Sequence, residues 1–248
     1  MLDIKKDHLD RFEEIKKQFL AKTKVPKENN WKSWTNDEMW LHIFEQVIVV
    51  GNSKPAERFN KDAKLRNQVS YETLARIREE DKLKKEINHV LRSVGARYAS
   101  SNISKCRKTN ALAHNFKVLK NFNDGPKGLL KRLSEFEGLY ADKRKIKYLM
   151  TIFKYIQSKS ARDFLMELGI VRNAIALDIR VQNIFAKIGV QIPKGFEANP
   201  KLYDEIEKDM LEKVCKHLNL SGVEFDRMLY QNYRSIMNMD FSKFEYHK

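Results

Sequence analysis

The chain of 248 residues is long enough for one sizeable domain or two small ones, and 42% of its residues are hydrophobic, as in ordinary globular proteins. Its 48 Lys and Arg residues against 33 Asp and Glu residues give a formal net charge of +15. This excess favours a polyanionic partner, because each neutralised phosphate releases condensed counterions, although lysine-rich proteomes also make basic proteins that bind no nucleic acid. No apolar run approaches the roughly 18 residues of a membrane span, and the first residues are charged, so we expect a cytoplasmic protein without membrane attachment.

Cysteine and histidine are too sparse for a metal site. Cys106 and Cys215 lie far apart and outside any CxxC pattern, and the histidines show neither HxxxH nor HExxH spacing. We therefore expect two buried free thiols, and neither a metal ion nor another cofactor.

Apolar residues recur at helical spacing along almost the whole chain. A first stripe between residues 9 and 19 ends before Pro26, and Thr35 or Asn36 caps a second helix that runs into a loop containing Asn52. Further helical segments are predicted within 55–65, 70–95, 108–122, 129–138, 142–155, 159–168, 179–188, 201–218 and 222–237. No βαβ pattern, glycine-rich phosphate loop or repeat interrupts them, so the sequence predicts an all-α protein.

Two neighbouring segments carry the candidate chemistry. One helix is predicted to reach Tyr155, and after the interruption "IQS" another begins near Lys159, which is the layout of a helix-hairpin-helix. The hairpin amides around Ile156–Ser158 would hold a DNA phosphate as a helix N-terminus binds an anion. Asp178 stands just ahead of the next apolar run, where an aspartate commonly caps a helix. The spacing from Lys159 to Asp178 fits one helix and a return loop, so amine and carboxylate could face one cleft.

The same segments resemble a known family, the helix-hairpin-helix DNA glycosylase/AP lyases, and in particular the archaeal-type (second) class of 8-oxoguanine DNA glycosylases. The motif of that class begins with a hairpin and a Lys, followed by two small residues, "HFL" and a glycine, and it ends with an apolar run into Asp. The counterpart here is "KSARDFLMELGIVRNAIALDIRV". Shorter stretches that also resemble it, in the same order, are "MWLHIFEQVIVVGNS", "LRSVGARY", "GVQIPKGF" and "FDRMLY". The resemblance extends, with interruptions, over about residues 35 to 235.

The resemblance implies two helical subdomains with a DNA-binding cleft between them, and a monomer that excises a damaged base, 8-oxoguanine, from double-stranded DNA. Lys159 would be the nucleophile that forms a Schiff base with the sugar, and Asp178 would activate it or stabilise the cationic sugar. Asn52 could fill the gap left by the flipped base or simply cap the end of the preceding helix, and Tyr230 could stack on a base or pack in the core. Ile156, Gln157, Ser158 and Arg180 would contact DNA.

The hairpin and the residue at position 180 depart from the family pattern. Its hairpin normally has glycines on both sides of the central apolar residue, whereas this chain has Tyr155 and Gln157 around Ile156. Arg180 stands where many relatives have histidine, and arginine can still bind phosphate.

The expected division of the chain is 1–55, N-terminal helices packing with the C-terminal helices; 56–189, a bundle with the helix-hairpin-helix at about 147–170; and 190–248, the C-terminal helices. Two other functions stay open. The chain could be a non-catalytic helix-hairpin-helix DNA-binding protein, or a monofunctional glycosylase for alkylated bases in which Asp178 works through water. Relatives also place C-terminal residues near the base pocket, where this chain ends in "FSKFEYHK".

Overall fold

A computed structural model of the protein describes residues 2–243, and the C-terminal lysine, Lys248, lies outside them. The described residues form helices and no strand, which confirms the all-α prediction. The α-helices are α1 Lys6–Phe19, α2 Asn36–Ile48, α3 Lys54–Lys61, α4 Ala63–Gln68, α5 Tyr71–Ala75, α6 Glu80–Ser93, α7 Arg107–Lys120, α8 Gly125–Ser134, α9 Ala141–Ile152, α10 Ser158–Glu167, α11 Ile179–Ile188, α12 Pro200–Asp209, α13 Lys216–Leu218, α14 Gly222–Gln231 and α15 Tyr233–Met237. A π-helical turn, Met210–Cys215, joins α12 to α13.

The helices form two compact units, in agreement with the expected two helical subdomains. The terminal unit consists of Met1–Glu28 and Leu165–Lys248, and the central unit consists of Asn29–Phe164. The expected boundaries near residues 55 and 189 therefore lie elsewhere: α2 belongs to the central unit, and the segment from residue 165 to α11 belongs to the terminal unit.

Packing explains why only the first helix joins the C-terminal helices. In the terminal unit the Phe12 ring of α1 lies 5.0 Å from the Phe185 ring of α11 and 5.5 Å from the Phe225 ring of α14, centroid to centroid. In the central unit the Trp40 ring of α2 lies 5.2 Å from the Phe116 ring of α7, and its indole N–H donates to the Val69 carbonyl at 2.8 Å. The large apolar side chains of α2 are thus buried within the central unit, and the sequence pattern alone does not reveal which core they join.

Cys106 and Cys215 are both free and buried, as predicted. Burial, with the nearby Asp226 carboxylate, raises the pKa of the Cys215 thiol to about 12, so this thiol stays protonated and unreactive at neutral pH. Within residues 2–243 no group of His, Cys, Asp and Glu is placed to hold a metal ion. No helix of that range has the length and apolar character needed to cross a membrane.

Candidate functional site

The connection between the two helices of the predicted hairpin is longer than the sequence indicated. Helix α9 ends at Ile152 and α10 begins at Ser158, so the connection runs from residue 153 to 157, and the helix does not reach Tyr155. Tyr155 has φ +64°, in the left-handed region that glycine adopts most readily. At one of the two positions where the family pattern has glycine, this chain therefore forms the left-handed turn with a tyrosine.

An asparagine of α7 holds this turn in place. The buried Asn115 carboxamide accepts a hydrogen bond from the Lys154 N–H at 2.8 Å and donates one to the Lys154 carbonyl at 2.9 Å. On the same helix, His114 Nε2 lies 3.2 Å from the Ile152 carbonyl oxygen. Because both backbone groups of Lys154 are satisfied by one side chain, they cannot continue α9, and the chain turns. Sequence reasoning missed Asn115, whose only signal is an amide inside the apolar pattern of α7.

Asn115→Ala should lower the free energy of unfolding by about 2 kcal/mol, because it leaves two backbone groups of the hairpin without their partner. Thermal and urea denaturation would measure the loss. Asn121→Ala, at the C-terminal end of the same helix, is the control and should change stability far less. Equal effects of the two substitutions would show that Asn115 does not hold the hairpin.

The residues predicted to contact phosphate differ in exposure. Ile156 and Ser158 are only 1% and 4% exposed, whereas the Gln157 side chain is exposed. The Gln157 N–H donates to Ser160 Oγ at 2.9 Å, which caps the start of α10. The amides of the first helical turn, from Ser158 onward, have no acceptor within the helix, as at any helix N-terminus. An anion would therefore meet Ile156 and Ser158 through their backbone and Gln157 through its side chain.

Lys159 lies in the first turn of α10 with its side chain 41% exposed. Its Nζ is 3.6 Å from Oδ2 of Asp163, one turn later, and the same carboxylate oxygen accepts a hydrogen bond from Gln46 Nε2 at 3.1 Å. Gln46 is only 5% exposed, so α2 fixes Asp163, and Asp163 in turn attracts the lysine amine. Sequence reasoning missed both partners. The sequence did contain a signal for Asp163, because this residue replaces the histidine of the family's "HFL".

Asp178 caps α11, as the sequence predicted. Its Oδ1 accepts hydrogen bonds from the Arg180 N–H at 2.8 Å and the Val181 N–H at 3.1 Å. The other oxygen, Oδ2, lies 4.0 Å from the Arg180 guanidinium, and the side chain is 21% exposed. One oxygen is thus engaged by the helix and the other is left for an ion pair or for chemistry.

The segment before Asp178 is buried and non-helical, and three side chains bind its backbone amides. The Ile175 N–H donates to a Glu207 carboxylate oxygen at 2.8 Å, and the Ala176 N–H to Asp226 Oδ1 at 2.8 Å. The Leu177 N–H donates to the Tyr203 hydroxyl at 2.6 Å. All three acceptor side chains are under 9% exposed. They satisfy amides that no helix or sheet could satisfy, and so fix the backbone just before Asp178.

Arg180 and Tyr230 form a pair on the surface of the terminal unit. The Arg180 guanidinium lies 4.3 Å from the centre of the Tyr230 ring, which is a favourable cation–π distance. Tyr230 is 46% exposed, so its ring is not packed in the core. Both residues line an open cavity of about 430 Å³ together with Tyr233 and Arg234.

Asn52 lies exposed in the loop after α2, and its Oδ1 accepts a hydrogen bond from the Lys54 N–H at 3.1 Å. The loop is anchored by Lys108 of α7, which is fully buried and donates to the carbonyls of Ile48 at 3.0 Å and Val50 at 2.9 Å. Burial lowers the pKa of the Lys108 amine. Asn52 is thus presented to solvent on a fixed loop, and Lys108 was not identified from the sequence.

The structure thus places the candidate residues in two groups. Lys159, with Asp163 and Gln46, belongs to the central unit together with the hairpin and Asn52. Asp178, Arg180 and Tyr230 belong to the terminal unit.

Comparison with solved structures identifies the fold. The 8-oxoguanine DNA glycosylase of Methanocaldococcus jannaschii superposes with a TM-score of 0.61 at 16% identity, covering 92% of this chain and 93% of that one. An 8-oxoguanine glycosylase/lyase of the same organism, in complex with a 15mer DNA containing 8-oxoguanine, gives 0.60 at 15% identity over 92% and 98% of the two chains. The 8-oxoguanine DNA glycosylase of Thermotoga maritima gives 0.59 at 22% identity over 90% and 92%. The sequence matches no known family profile and no curated protein significantly. Over nearly its whole length, this chain has the fold of these solved 8-oxoguanine DNA glycosylases.

Proposed function

We propose that this protein is a base-excision DNA glycosylase with AP lyase activity that removes 8-oxoguanine from double-stranded DNA. The observation that carries the proposal is the likeness in fold, over at least 90% of each chain, to solved 8-oxoguanine DNA glycosylases. Two local features support it: a lysine in the first turn of the helix after the hairpin, and an aspartate that caps the following helix. The net charge of +15 suits a DNA substrate.

In this proposal Lys159 is the nucleophile. Once the damaged nucleotide is flipped out of the stack, the neutral amine attacks C1′, and the base departs with the electrons of the glycosidic bond. The C1′–O4′ bond of the resulting aminal then breaks, O4′ takes up a proton and stays on the sugar as a hydroxyl, and the nitrogen lone pair forms the C1′=N Schiff base. A proton then leaves C2′ and the 3′ phosphate is eliminated. The contact between Lys159 and Asp163 has to break before the amine can attack, since an ammonium paired with a carboxylate has no free electron pair.

Asp178 supplies negative charge where positive charge develops on the sugar, or accepts a proton. Its helix-capping bonds through Oδ1 restrict the rotamer of the carboxylate and so preorganise Oδ2. The clamp formed by Glu207, Asp226 and Tyr203 fixes the backbone that precedes it. The cap and the chemistry are therefore compatible roles for one residue.

A second candidate function, a monofunctional glycosylase, is favoured by the ion pair of Lys159 with Asp163, because the pair engages the amine that would otherwise attack the sugar. In that enzyme Asp178 would activate a water molecule and no covalent adduct would form. Borohydride trapping separates the two functions, because only an amine nucleophile leaves a reducible protein–DNA adduct. A non-catalytic DNA-binding protein would neither release a base nor be trapped.

The deciding experiment is a panel of duplexes, each with one damaged base, assayed separately for base release and for strand nicking. We expect both activities on the 8-oxoguanine duplex, together with a borohydride-trapped adduct. Base release without nicking or trapping would favour the monofunctional enzyme. No release from any duplex, with binding retained, would leave only DNA binding.

Arg180→Ala should weaken DNA binding and reduce the slope of log affinity against log salt by about one, because one phosphate contact is lost. Fluorescence anisotropy over a series of salt concentrations measures that slope. Lys201→Ala removes one exposed positive charge from α12 in the same unit and serves as the matched control. An unchanged slope in Arg180→Ala would show that its guanidinium, stacked on Tyr230, does not reach phosphate.

A further inference from the structure

Helix α9, which leads into the hairpin, exposes a row of cations that the proposed mechanism does not use. Lys143 and Lys147 are one turn apart and exposed, whereas Ile146 and Leu149 are buried. Beyond the end of the helix, Lys154 in the hairpin is also exposed. From residue 143 to 154 the sequence has Lys or Arg at five positions and no acidic residue. The row of Lys143, Lys147 and Lys154 is called the α9 stripe below.

Two large apolar side chains stand at the far end of the α9 stripe. Leu139 and Tyr140, just before α9, are 89% and 68% exposed, the highest exposures among the large hydrophobic residues of the described chain. The Arg144 guanidinium donates to the Glu137 carbonyl, which ties this segment to the first turns of α9. Adjacent exposed apolar side chains beside a row of cations are more typical of a binding surface than of a solvated helix face.

The acidic groups near the stripe do not cancel it. Asp142 is partly buried, and its Oδ1 lies 3.7 Å from Lys145 Nζ, on a face of α9 next to the stripe. Glu135 and Glu137 are exposed but precede Leu139. Over residues 135–154 the cations outnumber the acidic residues, so a partner that follows the stripe towards the hairpin meets a net positive charge, and the complementary partner is a polyanion.

We propose that the α9 stripe and Tyr140 form a second DNA contact, which binds the duplex that flanks the damaged base. The inference rests on the proposed function, since the hairpin at one end of the stripe is there the phosphate-binding element. Twelve residues of α9 rise by about 18 Å, which corresponds to about five base pairs at 3.4 Å each. The stripe would thus extend the footprint by about five base pairs on one side of the hairpin, with lysines on phosphates and Tyr140 against the sugar edge of the groove.

The test compares two double variants of equal charge. Lys143→Gln with Lys147→Gln removes two charges from the stripe, and Lys82→Gln with Lys85→Gln removes two exposed charges from α6 of the same unit. On a duplex with long flanks, the stripe variant should bind about tenfold more weakly near 0.15 M salt, with a salt slope reduced by about two. The α6 variant should stay within about twofold of the wild type.

Duplexes shortened from one side or the other then locate the contact. Affinity of the wild type should fall when one particular flank is shortened below about five base pairs, and on that duplex the stripe variant should lose no further affinity. Tyr140→Ser should weaken binding to the long duplex by several fold without changing the salt slope, because it removes contact area and no charge.

Two results would overturn the inference. If the stripe and α6 variants weaken binding equally on every duplex, only the overall charge matters. If Tyr140→Ser and the stripe variant both bind like the wild type, the surface does not contact DNA. Neither result bears on the proposed function, which is tested by base release, whereas a wild type that binds no duplex would remove both proposals.

Discussion

Lys159→Gln should abolish strand nicking and borohydride trapping on 8-oxoguanine DNA while leaving DNA affinity nearly unchanged. Glutamine has no basic amine, so no Schiff base can form, and the substitution removes only one of 48 Lys and Arg charges. The side chain is 41% exposed, so the fold should tolerate the change. Trapped adducts resolved on a denaturing gel, and anisotropy with the same duplex, measure the two quantities.

Lys85→Gln, which removes an exposed lysine from α6, controls for the lost charge and should be trapped like the wild type. If Lys159→Gln still nicks and is still trapped, the nucleophile is another amine. In that event the role implied by the family resemblance fails at its central residue. If the wild type itself is never trapped but releases the base, the monofunctional mechanism replaces this one.

Asp178→Asn should reduce the rate of base release by two to four orders of magnitude, because an amide neither accepts a proton nor stabilises a cationic sugar. The same variant should stay folded. Asparagine is itself a good N-cap, and its carbonyl oxygen can still accept from the Arg180 and Val181 amides, so we expect stability to change by no more than about 1 kcal/mol. Single-turnover base release and thermal denaturation together separate the two roles of the residue.

Asp62→Asn is the matched control for this cap. Asp62 caps α4 by accepting the Leu65 N–H at 3.0 Å, and it is exposed, so its substitution should leave base release unchanged. Full activity in Asp178→Asn would reduce Asp178 to a cap. A large loss of stability in Asp178→Asn would mean that the activity change reports on folding.

The left-handed turn at Tyr155 explains how the hairpin forms without glycine at this position. A tyrosine in this region costs on the order of 1 kcal/mol or more, because its Cβ crowds the backbone. Asn115 offsets that cost with two hydrogen bonds to Lys154, the residue before Tyr155. The backbone turn that glycine makes elsewhere by its own freedom is made here through a contact with another helix.

The sequence by itself determined those structural features that depend on residues close to one another along the chain. Helical periodicity predicted the all-α fold, and the caps at Thr35 and Asp178 follow from side chains that reach amides two or three residues ahead. Such interactions are local, so the order of residues contains everything needed to recognise them. The family resemblance added the fold, which the solved structures confirm.

Only the tertiary structure decided features that join distant residues. The assignment of α2 to the central unit depends on Trp40 meeting Phe116, and an apolar stripe shows that a helix is buried without showing against what. The end of α9 at Ile152 depends on Asn115 of α7, which no local pattern connects to the hairpin. The pairing of Lys159 with Asp163 is local, yet its anchoring by Gln46 is not. Long-range contacts form when the core assembles, and a single sequence does not record which partners that assembly selects.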